Sequence, residues 1–350
     1  MTQDLQHKIE SILSRNPQAD DREILFQLRQ FLDETALQNM DGKETKNIAD
    51  LVAEHIQQLN GETEQNAMIK TGFVDLDRLT GGFHLGEFVV VGGRPGMGKT
   101  LLLVNLSLNI SETNPLLYLT LDLSEFLLTN KFISAVTRIE GSKILQHDLN
   151  EEQKNKLAEI NNEFSKRKLF IHDSYDRSIA ALKAVCRKQI QENGIQVIVV
   201  DYLQLITSYN HRKYREIEVS YICRELKNMA KENNVCVIVA SQLSRSVESR
   251  SFSSKRPLLS DLRDSGSIEQ DADKVLFIYR PEYYKLDEFE DYTRSVGLAE
   301  IIVAKNRTGC LADFRLSRDN HFTTFRDYEF KDEFTFSSDR LLELEEKIPY

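Results

Sequence analysis

Eight consecutive residues, Gly93 to Thr100, have the types and the spacing that bind phosphate. They read Gly-Arg-Pro-Gly-Met-Gly-Lys-Thr, after an apolar run at 88–91 and before a helical pattern at 101–106. In such a loop the backbone N–H groups and the amino end of the helix face the phosphates. The lysine reaches the β- and γ-phosphates and the threonine hydroxyl binds Mg²⁺. We therefore predict a nucleoside triphosphate site formed by Gly93, Arg94, Pro95, Gly96, Met97, Gly98, Lys99, Thr100 and Leu101.

Two apolar segments later in the chain lead to polar residues that suit the same site. Residues 195–200 run into Asp201, and an aspartate at such a strand end holds Mg²⁺ together with the loop threonine in phosphate-loop enzymes. Residues 237–240 lead to Gln242, where a neutral amide can contact a γ-phosphate and sense its hydrolysis. We predict Mg²⁺ ligation by Thr100 and Asp201. For Gln242, an ordinary strand end stays open as the alternative.

Strand and helix patterns alternate from Gly72 onward, and these elements must position the residues named above. Such alternation predicts parallel βαβ units and therefore an α/β fold with a mostly parallel central sheet. The predicted strands are 87–92, 116–121, 168–172, 196–201, 235–240, 274–279 and 298–305. The predicted helices in this part are 99–111, 124–137, 151–165, 178–192 and 215–232.

Composition places the chain among ordinary soluble globular proteins, with 41% hydrophobic and 29% charged residues. It contains no apolar stretch near the length of a membrane span, about 20 residues, and its start lacks the pattern of a signal peptide. We expect a cytoplasmic protein without a membrane partner. The four cysteines form no C-x-x-C pair, which argues against zinc and against a disulfide framework.

The net charge of −10 does not exclude a nucleic acid partner. Residues 1–70 hold 13 acids against 7 bases, and residues 327–350 hold 8 acids against 3 bases. The remaining segment is close to neutral, and it can carry a local basic groove, because only the local field matters for phosphate binding.

Several stretches outside the phosphate loop agree with a single family. With that loop, they closely resemble the C-terminal motor domain of the DnaB-type replicative helicases over about residues 45–328. The run from Ser260 to Asp273 is the most specific of them. The matching stretches are 71–77, 80–82, 201–205, 241–245, 255–257, 260–273, 277–280 and 305–309.

The resemblance implies a RecA-like phosphate-loop ATPase that uses ATP and Mg²⁺ and assembles as a ring of six. ATP sites would lie at subunit interfaces, and single-stranded DNA would lie in the central channel. The helix at 48–59 carries one apolar stripe and matches the family's linker helix, which docks on the adjacent subunit. Packing on its own core is the alternative for that stripe. A loader or accessory protein is a further partner consistent with this family.

The resemblance also assigns roles to residues far from the phosphate loop. Lys305 and Arg307 match the pair that reaches the γ-phosphate of the neighbouring subunit, and a solvated turn is the alternative for them. The channel loop that grips the DNA backbone matches Arg263, Asp264 and Gly266. Arg280 matches a family arginine near the nucleotide base. A backbone grip carries no base code, so DNA binding should be largely independent of sequence and sensitive to salt.

One departure from the family pattern concerns the residue that polarises the attacking water. The family has a glutamate after its second strand, where this chain has Asp122, which is one methylene shorter. Three interpretations stay open: Asp122 acts through a shifted backbone or an extra water, Glu125 substitutes for it, or hydrolysis is slow and ATP is mainly a structural ligand. Glu125 is also explained as an acid that balances the helix dipole.

A second departure is the short segment before the linker helix, about 45 residues, which is too few for the family's helical N-terminal domain. We therefore expect the usual primase dock to be absent. The first functional hypothesis is a ring-forming ATP-dependent helicase. The alternatives are a slow-turnover, ATP-gated DNA-binding or assembly scaffold, and a recombinase or clock-type ATPase of the same wider fold.

The predicted organisation has four parts. Residues 1–46 form a short helical N-terminal segment, 47–66 the linker helix and linker, 67–330 the RecA-like ATPase/helicase domain, and 331–350 an acidic tail. The tail is either a flexible end or a docking segment for a partner.

Overall fold

The computed structural model describes residues 46–59, 68–208, 215–250, 255–262, 266–319, 321 and 323–328. The helical segment predicted before residue 46, the acidic tail, Arg263 and Asp264 lie outside the described residues. The described residues belong to two units, one with 46–59 and the other beginning at 68.

The larger unit is built on a nine-stranded sheet with the order β3-β2-β4-β5-β1-β6-β7-β8-β9. The six strands from β3 to β6 in this order are parallel, and β7 to β9 continue the sheet as antiparallel neighbours. The mostly parallel α/β fold predicted from the sequence is confirmed. The strands are Phe88–Gly93 (β1), Leu116–Thr120 (β2), Leu169–Asp173 (β3), Val197–Asp201 (β4), Cys236–Gln242 (β5), Lys274–Tyr279 (β6), Leu298–Asn306 (β7), Ala312–Arg318 (β8) and Phe325–Asp327 (β9).

Helices cover both faces of the sheet, which explains why the central strands are apolar throughout. In β1, Val89 and Val91 pack in one buried cluster with α3 and α4, whereas Val90 packs in the other with α7 and α8. The helices are Ile48–Leu59 (α1), Val74–Thr80 (α2), Lys99–Ile110 (α3), Glu125–Thr137 (α4), Gly141–Leu145 (α5), Glu151–Ser165 (α6), Ile179–Asn193 (α7), Arg215–Glu232 (α8), Ser246–Ser249 (α9) and Gly266–Asp271 (α10).

The predicted long helices are confirmed within one residue at each end, whereas the short helices α2, α5, α9 and α10 and the strands β8 and β9 were not predicted. Helix α1 has the predicted bounds, and its apolar side chains Ile48, Leu51, Val52 and Ile56 are exposed. Across the described ranges, no helix combines the length and the apolar character that crossing a membrane requires.

Candidate functional site

The phosphate loop joins the end of β1 to the start of α3, as the sequence predicts. Gly96 and Gly98 have φ angles of 79° and 106°, which an L side chain rarely adopts. A Cβ atom on Gly93 would lie 2.7 Å from Cγ2 of Ile278, and one on Gly98 would lie 3.1 Å from Cζ of Phe325. The glycines therefore allow both the curled backbone and its close approach to the sheet.

Lys99 is the first residue of α3, and its buried side chain turns back into the phosphate loop. Its ammonium donates hydrogen bonds to the carbonyl oxygens of Gly93, at 2.8 Å, and of Arg94, at 3.2 Å. Burial lowers the pKa of Lys99 to about 8; the Asp201 carboxylate opposes this effect, and the Arg94 guanidinium adds to it. The loop thus surrounds a cation held by neutral carbonyls, for which phosphate oxygens are stronger acceptors.

The two predicted metal ligands are in direct contact. Thr100 donates a hydrogen bond from its hydroxyl to Oδ2 of Asp201 at 2.7 Å, and the Tyr118 hydroxyl donates to the same oxygen at 3.1 Å. Burial raises the pKa of Asp201, against the effect of these two hydrogen bonds. Tyr118 was missed by sequence reasoning, because a tyrosine inside an apolar strand reads as a packing residue.

Hydroxyl and carboxylate oxygens are ligands that suit Mg²⁺, which usually combines one or two protein groups with phosphate oxygens and water. Among the residues that the structure describes, no group of three or more His, Cys, Asp or Glu side chains could hold a metal. The Thr100–Asp201 pair therefore fits an ion that also binds to phosphate, rather than a closed protein cage.

The ends of four parallel strands bring the remaining predicted residues to the same edge of the sheet. Gln242 at the end of β5 is opposite Gly93 in β1, and Asp201 is opposite Thr120 at the end of β2. Asp122 follows two residues after Thr120 and is exposed. Its carboxylate contributes to the raised pKa of Asp201, for which burial is the main cause. This edge thus carries the phosphate loop together with Asp122, Asp201 and Gln242.

Glu125 is held as a helix N-terminal residue. Its backbone N–H donates a hydrogen bond to Oδ2 of Asp173 at 3.2 Å, in the first turn of α4, which Ser124 caps. Its own side chain is exposed. This geometry agrees with the explanation that Glu125 balances the helix dipole.

Two arginines predicted at the nucleotide have different surroundings. Arg94 is buried, and its guanidinium donates to Oε1 of Glu248 at 2.6 and 2.9 Å and to the carbonyl oxygen of Leu243 at 2.8 Å. Its side chain therefore fastens the loop to the segment after β5. Arg280 donates to the carbonyl oxygen of Gly96 at 3.3 Å, which places it against the outer turn of the phosphate loop.

Lys305 and Arg307 lie at the opposite edge of the sheet. Strand β7 runs antiparallel to β6, so its last residues lie beside the start of β6 at Lys274, which is opposite Val89 in β1. Gly93 is four residues further along β1, about 13 Å at about 3.3 Å per residue. It also lies two strand positions away from β7. Neither side chain can reach the phosphate loop of its own chain.

Both of these cationic side chains contact the last turn of α10. Lys305 donates to the carbonyl oxygens of Glu269 and Gln270, and the Arg307 guanidinium donates to that of Gln270. Burial and the neighbouring Arg307 lower the pKa of Lys305. The pair is thus side by side on one surface. Arg307 is exposed in the turn after β7, so the solvated turn stays open beside the predicted role of the pair.

Gly266 is the one channel-loop residue that the structure describes. It is the first residue of α10 and is exposed, and a Cβ atom built on it would meet no atom within 4 Å. Crowding by the described residues therefore does not explain why this position is a glycine.

Comparison with known proteins adds a family match to this geometry. The family described as DnaB-like helicase C terminal domain matches residues 68–327. A probable replicative DNA helicase of Trieres chinensis is 40% identical over 270 residues, which are 76% of this chain and 58% of that protein. The replicative DNA helicase DnaB of Geobacillus stearothermophilus is 37% identical over 290 residues, 81% of this chain and 62% of that protein. The chain thus spans about six-tenths of the length of these curated relatives.

Two solved structures share the fold closely. One is an isolated ATPase domain with a TM-score of 0.74 and 31% identity, and the match covers 82% of this chain and 100% of that one. The other is a DnaB-like replicative helicase, whose interactions with primase were studied. It has a TM-score of 0.73 and 28% identity, and the match covers 93% of this chain and 76% of that one.

Proposed function

The chain belongs to the DnaB-like helicase C-terminal domain family, and on this premise we propose that it is an ATP-dependent DNA helicase motor that assembles as a ring of six. Single-stranded DNA would lie in the central channel, contacted by Arg263, Asp264 and Gly266. ATP and Mg²⁺ would bind at each interface between subunits.

One observation carries this proposal: the two groups of residues predicted to act on the triphosphate lie at opposite edges of one sheet. The edge formed by the carboxyl ends of the parallel strands, the carboxyl edge, carries Lys99, Thr100 and Asp201. The edge formed by their amino ends, the amino edge, carries Lys305 and Arg307. A subunit that presents two different, complementary edges assembles head to tail, and a head-to-tail assembly forms a ring when its rotation closes. Each interface would then contain one complete site.

Each residue at the carboxyl edge has a task that follows from its position. Lys99 would exchange its two loop carbonyls for β- and γ-phosphate oxygens. Thr100 and Asp201 would hold Mg²⁺, which neutralises phosphate charge when bound. Gln242 would contact the γ-phosphate, and Asp122 would orient the attacking water. Arg280 would remain at the outer turn of the loop, towards the nucleotide base.

The cationic pair would act on the site of the adjacent subunit. Charge develops on the transferred phosphoryl group, and an arginine placed against it stabilises the transition state. Hydrolysis would therefore depend on assembly. Helix α1, with its exposed apolar stripe, would dock on that same neighbour. Apolar side chains are also exposed on the larger unit, including Phe126, Leu127 and Leu145.

We also propose the four-part organisation with boundaries after residues 46, 66 and 330. The separation of the described residues 46–59 from those that begin at 68 supports the boundary near residue 66. Limited proteolysis of the assembled protein, with and without ATP, would locate the accessible linkers.

The first test of the function measures ATP hydrolysis by the purified protein, with and without oligo-dT, over protein concentrations that span assembly. We expect turnover to rise with DNA and with protein concentration, because the site is completed by a neighbour. Tight ATP binding with negligible turnover under both conditions would instead support the ATP-gated scaffold. Turnover that is independent of protein concentration would contradict a site between subunits.

The effect of the shorter acid at position 122 is tested by Asp122→Glu. A displacement of about 1 Å at a catalytic group costs on the order of 100-fold in rate. Asp122→Asn keeps the shape but removes the proton acceptor, so we expect it to lower kcat by about 10²- to 10⁴-fold with ATP affinity unchanged, because the carboxylate acts on water and not on binding. If Asp122→Glu strongly accelerates hydrolysis, the native site is tuned for slow turnover; if it has no effect or is harmful, the aspartate belongs to a working site.

The pH dependence of nucleotide binding follows from the lowered pKa of Lys99. Below pH 8 the free site carries the lysine as a cation, and above pH 8 it becomes neutral. Bound phosphate favours the charged form, so binding above pH 8 requires uptake of a proton. We expect MgATP affinity to be constant from pH 7 to near 8 and then to fall by up to about tenfold per pH unit. Calorimetric titrations should show a flat profile for Lys99→Met.

A further inference from the structure

The strand that carries Gln242 is paired only on one side at its carboxyl end. Parallel pairing of β4 with β5 runs from Val197 opposite Cys236 to Val200 opposite Val239. Pairing of β1 with β5 continues to Gly93 opposite Gln242. The side of Gln242 that faces β4 therefore lies beyond the last pair of the β4–β5 ladder.

A side chain from the turn after β4 occupies this position. Gln204 lies in the 3₁₀ turn Leu203–Leu205. Its Oε1 atom accepts a hydrogen bond from the backbone N–H of Gln242 at 3.1 Å, and its Nε2 atom donates to Oγ of Ser241 at 3.0 Å. Nε2 also lies 3.5 Å from the carbonyl oxygen of Gln242, a longer contact. The carboxamide thus continues the ladder with a donor and an acceptor on one uncharged group.

The turn that carries Gln204 is itself fixed from α8. The Arg215 guanidinium donates to the carbonyl oxygen of Gln204 at 2.9 Å and to that of Ile206 at 3.3 Å. Arg215 also pairs with the buried Glu218 at 2.6 Å, and Glu218 accepts a hydrogen bond from the backbone N–H of Ser208 at 2.7 Å. A continuous series of hydrogen bonds therefore joins the first turn of α8 to the backbone of Gln242.

We propose that Gln204 is a positioning residue that sets the location of Gln242 relative to the phosphate loop and Asp201. This inference rests on the proposed role of Gln242 at the γ-phosphate. Gln242 lies opposite Gly93 of β1 on one side, and on the other side its backbone N–H donates to Gln204, which follows Asp201 by three residues. One side chain thus ties the metal-binding strand end to the γ-phosphate contact, and it makes that contact responsive to the first turn of α8.

The test removes the carboxamide without removing bulk. Gln204→Leu leaves Lys99, Thr100 and Asp201 intact, so we expect MgADP affinity to stay within about twofold. We expect kcat of the DNA-stimulated reaction to fall by about 100-fold, the loss typical of a displacement near 1 Å. Gln196→Leu is the matched control. Gln196 lies just before the amino end of β4, far from the predicted site, and its side chain accepts a hydrogen bond from Asn114 at 2.7 Å. This variant should keep the wild-type kcat.

A double variant separates positioning from general damage to the fold. If Gln204 acts through Gln242, Gln204→Leu should cause little further loss of kcat in a Gln242→Ala background, since residues that act as a unit are not additive. Additive losses in the double variant, or wild-type kcat in Gln204→Leu with native unfolding midpoints, would overturn the inference.

If the wild-type protein hydrolyses no ATP, the proposed function fails, but the role of Gln204 can still be tested by a second measurement. The ratio of ATP affinity to ADP affinity reports contact with the γ-phosphate without any chemical step. We expect Gln204→Leu and Gln242→Ala to lower this ratio by a similar factor, and Gln196→Leu to leave it unchanged. An unchanged ratio in Gln204→Leu beside a lowered ratio in Gln242→Ala would refute positioning by Gln204.

Discussion

Replacing Arg307 by alanine is expected to lower DNA-stimulated ATP hydrolysis by about 10³-fold or more, the range typical of an arginine that stabilises phosphoryl transfer from a neighbouring subunit. MgATP affinity should change little, because the proposed role of the guanidinium is to stabilise charge that develops only in the transition state at the site of the neighbouring subunit. Steady-state hydrolysis and equilibrium binding of a fluorescent ATP analogue, measured on the same preparation, would test both parts.

Arg187→Ala is a suitable control for Arg307→Ala. Arg187 is an exposed arginine on α7 that pairs with Glu232 at 3.5 Å, so its loss removes a surface charge without touching either edge of the sheet. It should keep wild-type hydrolysis. If Arg307→Ala no longer binds nucleotide, Arg307 belongs to the pocket of its own subunit, and the proposed interface is wrong.

The second large effect is expected from Lys99→Ala. This variant removes the cation that the loop surrounds, at 2.8 Å from the carbonyl oxygen of Gly93, so both MgATP affinity and turnover should fall. We expect hydrolysis to drop by about 10³-fold or more, because a charge against the transferring phosphate is lost.

Mixing the two inactive variants gives a sharper result than either variant alone. In a mixed assembly, an Arg307→Ala subunit still offers Lys99 to a Lys99→Ala neighbour that still offers Arg307, so the interface between them is complete. With random mixing in head-to-tail assemblies, about one interface in four is of this kind. Hydrolysis should therefore reappear in the mixture at a fraction of the wild-type rate. Activity equal to the sum of the separate variants would show that no site is shared.

The carboxyl edge of the sheet was predictable because its signals are local. The phosphate loop needs glycines at Gly96 and Gly98 and an apolar strand before it, and all of these lie within about a dozen residues. Asp201 was found because a buried parallel strand is apolar along its length, so the acid at its end stands out. Its carboxylate contacts Thr100 at 2.7 Å because β4 and β1, the strand that precedes the phosphate loop, lie in the same parallel sheet.

The contacts that support this site could not be predicted, because they join distant parts of the chain. Arg94 was predicted only as part of the phosphate loop, and no local pattern indicated that its side chain pairs with Glu248, 154 residues away in sequence. Gln204 reaches Gln242 only because β4 and β5 stop pairing early, and no sequence pattern indicates where a ladder ends. Strand β8 was not predicted although it carries the period-two signal of a strand, with buried Phe314 and Leu316 between polar residues.

The placement of two half-sites at opposite edges of one sheet has a consequence for the number of nucleotides held. A linear row of n subunits contains n − 1 complete sites and leaves one unused half at each end. Closure of the row into a circle joins those two halves and creates one more site. In the proposed ring, a triphosphate at any junction would therefore help to keep the ring closed around an enclosed strand, and loss of nucleotide from one junction would favour opening there.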